Sequence, residues 1–188
     1  MRFSSMVFVL FVIFLVLLVG QPCSADDNLS LSFNNVPALQ IIQVIAEKAK
    51  TPFITVGEKV KKPVSISVKD ISAKDAFAAV AKAAEMTQTT FEGVEIFRAD
   101  PVAESGNQTV PGLPSEKLSM DFKDVEIAEI LKMVGEQLGI SIKTVGDMNA
   151  NICSRCANSD GGLMLRALTR AIGGKLDGKD KTWTLTKP

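Results

Sequence analysis

The sequence predicts an α+β protein: two tandem βαββαββ domains, each a small mixed sheet with two helices, preceded by a signal peptide. Three observations predict it. The chain opens on an apolar run that ends in small residues. A segment near position 29 returns 89 residues further on. Within each copy the apolar period alternates between two, the mark of a half-buried strand, and 3.6, the mark of an amphipathic helix. With 188 residues, 46% of them hydrophobic and 22% charged, the composition is globular, and two small domains fit the length better than one large one. The 21 Lys and Arg balance the 21 Asp and Glu, which leaves no positive surplus for sequence-independent binding to nucleic acid. There is no His and no Tyr, so chemistry that needs an imidazole or a phenol is excluded.

Residues 1–25 read as the signal peptide. Arg2 supplies a positive charge and Met6 to Gly20 is an unbroken apolar run. Cys23-Ser24-Ala25 then places small residues at the −3 and −1 positions of a cut before Asp26. The run falls short of the about 20 residues that span a hydrocarbon core. Two other readings remain open: acylation of Cys23, which Pro22 directly before it suits poorly, and retention as an uncleaved anchor. Each of the three exports the rest of the chain.

The first domain is expected over 26–98. Leu29, Leu31 and Phe33 alternate with Ser30, Ser32 and Asn34, which predicts a strand with one buried face. Ala38, Ile41, Ile42, Ile45 and Ala49 then share one helical stripe. Phe53 to Val56 is a short apolar strand, and Val64, Ile66 and Val68 alternate with polar residues in another. Ser72 with Asp75 three residues later predicts a capped helix that turns Ala76, Phe77, Val80 and Ala84 inward. A hairpin closes the unit, Thr87 to Phe91 and Val94 to Phe97 about a Glu92-Gly93 turn. Residues 99–117, with Pro101, Pro111 and Pro114, predict an exposed linker, within which Asn107-Gln108-Thr109 has glycosylation spacing.

The second domain is expected over 118–188. Between 29 and 57, nine of the 29 positions are identical to their counterparts 89 residues on: Leu29, Ser30, Phe33, Val36, Ile41, Glu47, Thr55, Val56 and Gly57. Chance would give about two. The helical stripe returns as Ile127, Ile130, Leu131, Val134 and Leu138. The copy ends with an expected turn at Asp177-Gly178 and a last strand holding Trp183 and Leu185.

Leu31-Ser32-Phe33-Asn34-Asn35-Val36-Pro37, then Ile41-Ile42-Gln43-Val44-Ile45-Ala46, resembles the opening of the short N-terminal (STN) domain of secretins and TonB-dependent transducers. Val64 to Ile71 and Asp75 to Val80 resemble its continuation. The resemblance covers about all of the first copy and the second as far as Gly146. It implies a periplasmic location and protein–protein work, as a partner within a secretion, pilus or TonB-type system of the cell envelope or by self-association through sheet edges. Apart from the resemblance, the balanced charge speaks against a nucleic-acid partner and no motif points to an enzyme or a cofactor; membrane contact is expected only through the signal segment or a partner. The channel-forming region of secretins has no counterpart in this sequence.

The one chemical feature is Cys153-Ser154-Arg155-Cys156, which falls where the first copy has its Val64 to Val68 strand. Residues three apart in a strand lie about 10 Å apart, beyond the about 7 Å that a disulfide allows between Cα atoms. In an oxidising compartment Cys153 and Cys156 are expected to be bonded, so this strand should be broken by a tight turn. The alternative is a small thiol–disulfide or metal-handling protein that uses the same pair. Against it, a redox pair belongs at a helix N-terminus, and a structural zinc wants four ligands. Lys59, Lys61 and Lys62 read as a solvated basic loop.

Overall fold

The computed structural model describes residues 28–99 and 110–187. The expected signal peptide, Cys23, most of the linker and its Asn107-Gln108-Thr109 triplet lie outside the described residues. The first repeat runs β1 (Leu29–Pro37), α1 (Ala38–Ala49), β2 (Phe53–Val56), a 3-10 turn (Glu58–Lys61), β3 (Pro63–Ile71), α2 (Ala73–Ala83), β4 (Thr87–Phe91) and β5 (Val94–Arg98). The second runs β6 (Lys117–Glu126), α3 (Ile127–Gln137), β7 (Ser141–Val145), β8 (Asn151–Asp160), α4 (Gly161–Ala171), β9 (Lys175–Lys179) and β10 (Thr182–Thr186). The fold is α+β. Among the described residues, no helix is long and apolar enough to cross a membrane.

Local chemistry explains the element ends. The helix at 73 is capped as its sequence predicts: Ser72 Oγ accepts the Asp75 N–H at 3.1 Å. The Asp75 carboxylate reaches back to the Ser72 hydroxyl, which donates to Oδ2 at 2.7 Å. Asp160 Oδ1 caps α4 in the same way by accepting the Leu163 N–H at 2.7 Å. Neither α1 nor α3 has a side-chain cap. Backbone carbonyls take their first N–H groups instead, Lys62 O for Ala38 and Ala150 O for Ile127, both at 3.0 Å. Gly57 and Gly146, identical in the repeat, both hold positive φ (92° and 98°). At each, the chain leaving the repeat closes on the preceding valine: Ala99 N–H donates to Val56 O and Lys187 N–H to Val145 O.

The strands of one repeat do not make one small mixed sheet, as the sequence suggests. They divide into two. In the first repeat β1 pairs with β3 in one sheet, while β4, β5 and β2 form another. The second repeat divides in the same way, β6 with β8 and β7-β10-β9. The two halves then join: β8 pairs antiparallel with β2, so one five-stranded sheet, β4-β5-β2-β8-β6, crosses both repeats. The loop after the shared glycine has one residue fewer in the second repeat (147–150 against 58–62), so an ungapped comparison loses register there.

Two further expectations are corrected. The last hairpin turns at Asp180-Lys181, not at Asp177-Gly178, which lies inside β9. Asp180 takes the left-handed φ of 57°. Gly178 is in the strand because a Cβ there would meet Trp183 Cα at 2.7 Å. The part of the linker that is described, 110–116, does not stand free of the protein: Val110 and Leu113 pack against the second core.

Two apolar clusters fill the molecule. One belongs to the first repeat alone, with Ile41, Ile42, Ile45, Phe53, Phe77, Val80 and Phe97 at its centre. The other contains the second repeat's core and also Ile54, Phe91, Val94 and Ile96 of the first. Those four lie beneath α4, which packs against β5, β2 and β8 on one side and β9 on the other. Eight of the eleven α4 residues are buried. At the matching places the second repeat has Lys143, Lys179, Thr182 and Thr184, on a sheet face that α4 does not cover. The first repeat's sheet is therefore apolar on both faces and the second repeat's on one.

Candidate functional site

No catalytic residue is expected from the sequence, so the candidate site is the seam where β8 meets β2, together with the open strand edges. Along the seam Phe53 lies opposite Arg155, Ile54 opposite Ser154, Thr55 opposite Cys153 and Val56 opposite Ile152. Thr55 Oγ1 donates to the buried Cys153 carbonyl at 3.3 Å. Side chains fasten the flanks. Arg166 of α4 pairs with Glu92 at 2.9 Å, and the Phe91 ring lies beneath Arg166 (5.9 Å) and Arg170 (5.3 Å). Lys61 pairs with Asp124 at 3.1 Å across the repeats. That pairing holds the Asp124 carboxyl below the usual carboxylate range, helped by the Asn151 amide, while Glu58 and Asp124 raise Lys61. The basic loop thus ties chain segments together: Lys59 Nζ donates to the Ala99 carbonyl at 2.8 Å and Lys62 pairs with Glu85 at 2.6 Å.

The cysteines lie in this seam, and the tight turn expected to break their strand is not formed. β8 runs unbroken from Asn151 to Asp160, and Cys153 and Cys156 are free and buried. The reason lies in the repeat. Each two-stranded ladder carries two bulges, at Asn35 and Asp70 in the first repeat and at Asp124 and Asn158 in the second, all with φ between 52° and 58°. Asn and Asp tolerate this region best among residues with a side chain. A side chain on the facing strand accepts each bulge N–H. Ser30 Oγ serves Asp70 at 3.0 Å and its repeat Ser119 serves Asn158 at 2.8 Å. Ser65 Oγ serves Asn35 at 2.9 Å, and Cys153 Sγ, standing where Ser65 stands, serves Asp124 at 3.2 Å. Cys156 occupies the place of Val68 and belongs to the second core. Burial pushes its thiol above the ordinary value, against lowering by hydrogen bonds with Met120 and Ser159. Both cysteines thus have structural places in a strand paired on both sides.

A cleft of about 350 Å³ opens between the end of α1 and β8, with Glu47, Lys50, Pro52, Arg155, Cys156 and Ser159 among its walls. Arg155 spans it, 3.6 Å from Glu47 and 3.8 Å from Asp121. Among the described residues, no group of three or more Cys, Asp or Glu gathers where it could hold a metal ion. Cys153 and Cys156, an odd number of residues apart on one strand, point to opposite faces and cannot chelate one ion between them.

Two edges match the two strands that form the seam. Among the described residues, β3, the counterpart of β8, pairs only with β1, and β7, the counterpart of β2, pairs only with β10. β7 carries Val145, an exposed large hydrophobic side chain (53%). Sequence reasoning missed that Ile54, Phe91, Val94 and Ile96 of the first repeat belong to the second repeat's core. Their signal was present: four apolar residues in one copy against two lysines and two threonines in the other. The chain matches no family model, no curated protein and no solved structure.

Proposed function

We propose that the chain is an exported, non-enzymatic adaptor of the cell envelope. In this reading it works in the periplasm by protein–protein contact, in the manner of the N-terminal modules of secretins and TonB-dependent transducers that its first copy resembles. The observation that carries the reading is the seam itself. A strand of one unit completes the sheet of the other through backbone hydrogen bonds, and the same kinds of edge, β3 and β7, lie at the borders of the two smaller sheets with no further strand beside them among the described residues. Edge addition gives affinity through the main chain and selectivity through alternate side chains. The occupant is a strand of an envelope partner or an edge of a second copy.

Cross-linking of the mature chain in a periplasmic extract tests this. The expected result is a defined cross-linked species that is lost when Val145→Asp and Thr144→Pro are placed on β7. Recovery of monomer alone overturns the reading. A thiol–disulfide or metal-handling role would instead vanish when Cys153 and Cys156 are replaced, whereas an adaptor keeps its cross-link.

A further inference from the structure

The cysteine pair is the one feature of the sequence that adaptor work does not use, and its place in the fold is unusual. Cys153 and Cys156 are the ends of a four-residue segment of β8 that pairs with β2 on one side and β6 on the other. Cys153 faces Thr55, Ser154 faces Ile54 and Arg155 faces Phe53; across the other ladder Ser154, Arg155 and Cys156 face Phe122, Asp121 and Met120. In that extended form the two Cα atoms are about 10 Å apart, whereas a disulfide holds them within about 7 Å. The bond and the seam exclude each other. Curling 153–156 into the turn that a bond requires removes three of the four residue pairs between β8 and β2, and takes the Cys153 Sγ acceptor from the Asp124 N–H.

We propose that Cys153 and Cys156 are an oxidation site that works as a latch: the dithiol keeps β8 in the sheet, and their intrachain disulfide withdraws it and frees the edge of β2. The step is a thiol–disulfide exchange with a small disulfide such as glutathione disulfide. The thiolate of one cysteine attacks the oxidant's S–S bond, forming a mixed disulfide and releasing one glutathione thiolate. The second cysteine's thiolate attacks the protein sulfur of that mixed disulfide and expels the other glutathione. The protein loses two electrons and two protons; the glutathione disulfide gains both and leaves as two thiols. Cys156 lines the cleft together with Lys50, Glu47 and Arg155; Glu47 and Asp121 offset the Arg155 charge, so the cleft gives the oxidant a route to the sulfur and not an electrostatic pull. Cys153 and Cys156 are 4% and 5% exposed as residues, so the exchange proceeds through transient opening of the seam, and the bond then holds it open. This inference concerns the β8–β2 seam, from which the adaptor reading also argues; the two fail separately, because that reading is tested by a cross-link at β7 and this one by exchange at β2 and β8.

The test uses the full chain with Cys23→Ser, so that only the pair reacts, incubated with excess glutathione disulfide. Mass spectrometry reads the bond as a loss of two hydrogens without a glutathione adduct. Hydrogen exchange of the same sample reads the seam. The expected result is the intrachain bond together with amide exchange at residues 53–56 and 152–155 at least ~10-fold faster than in the dithiol form. A bond formed with seam exchange unchanged overturns the proposal, and so does a pair that stays unbonded after a day. The repeat supplies a variant that folds without thiols, Cys153→Ser with Cys156→Val, the residues at the matching places in β3. It should keep the seam protected under the oxidant; equal loosening there would also overturn the latch.

Discussion

Ile96→Thr puts onto β5 the residue that β10 carries at the matching place, Thr184. Ile96 is fully buried beneath α4, whereas Thr184 is half-buried on the face that α4 leaves open. The change decomposes into two steps. Shortening Ile to Val in a core costs about 0.5–1.5 kcal/mol. Exchanging the remaining methyl for a hydroxyl with no acceptor in an apolar cluster costs about 1–3 kcal/mol more. A loss of about 3 kcal/mol lowers the melting temperature of a chain this size by about 6–12 °C. The chain's one tryptophan, Trp183, is buried in the second repeat, so its fluorescence reports on the half that is not mutated. Because Ile96 belongs to the core that Trp183 occupies, the Trp183 transition in urea should move to lower urea together with the far-UV dichroism of the whole chain. The reverse swap, Thr184→Ile, should stay within about 0.5 kcal/mol of wild type. A fluorescence transition that stays in place while the dichroism splits into two steps would refute the shared core.

Four further outcomes follow from single contacts. Ser72→Ala removes the side-chain acceptor at the start of α2 and should cost about 1 kcal/mol by urea denaturation. Gly146→Ala places a Cβ at positive φ against the Lys187 carbonyl, and should destabilise by about 1–3 kcal/mol and loosen the Lys187–Val145 closure in hydrogen exchange. Cys153→Ala strands the Asp124 N–H and should cost about 1 kcal/mol more than Cys153→Ser, which restores the acceptor that Ser65 provides in the first repeat. The Asp124 carboxyl titrates below its unfolded value because Lys61 and Asn151 bind its charged form, so its contribution is present above the unfolded value and fades as pH falls through the folded one. The stability gap between wild type and Asp124→Asn should accordingly close below about pH 4, and shrink in high salt at neutral pH, as followed by urea midpoints.

Much of each repeat was legible because its residues answer to local rules. The Ile41, Ile42, Ile45 stripe and its counterpart Ile130, Leu131, Val134 are buried as their spacing requires. Ser72 caps its helix, and Thr55-Val56-Gly57 with Thr144-Val145-Gly146 mark a real turn used twice. At the cysteine pair, compartment chemistry and strand geometry point in opposite directions, and the unbroken β8 depends on neighbours far away in sequence. Cys153 accepts from Asp124 and faces Thr55, and neither contact leaves a periodic trace. The turn at Asp180 was misplaced because Asp177-Gly178 has turn composition, while the small residue is there to admit Trp183.

The sequence by itself determined that one α+β unit is made twice, since a period of two or 3.6 records which side of an element meets apolar neighbours, and a repeat records it independently a second time. Only the tertiary structure decided how the copies join. A sheet edge is made of backbone groups, so although Ile54 of β2 signals a second buried face, the side chains do not name β8 as the strand that pairs there. Once they do, α4 is carried over the back of the first sheet, and four apolar residues that look like an ordinary strand pattern become part of the second repeat's core.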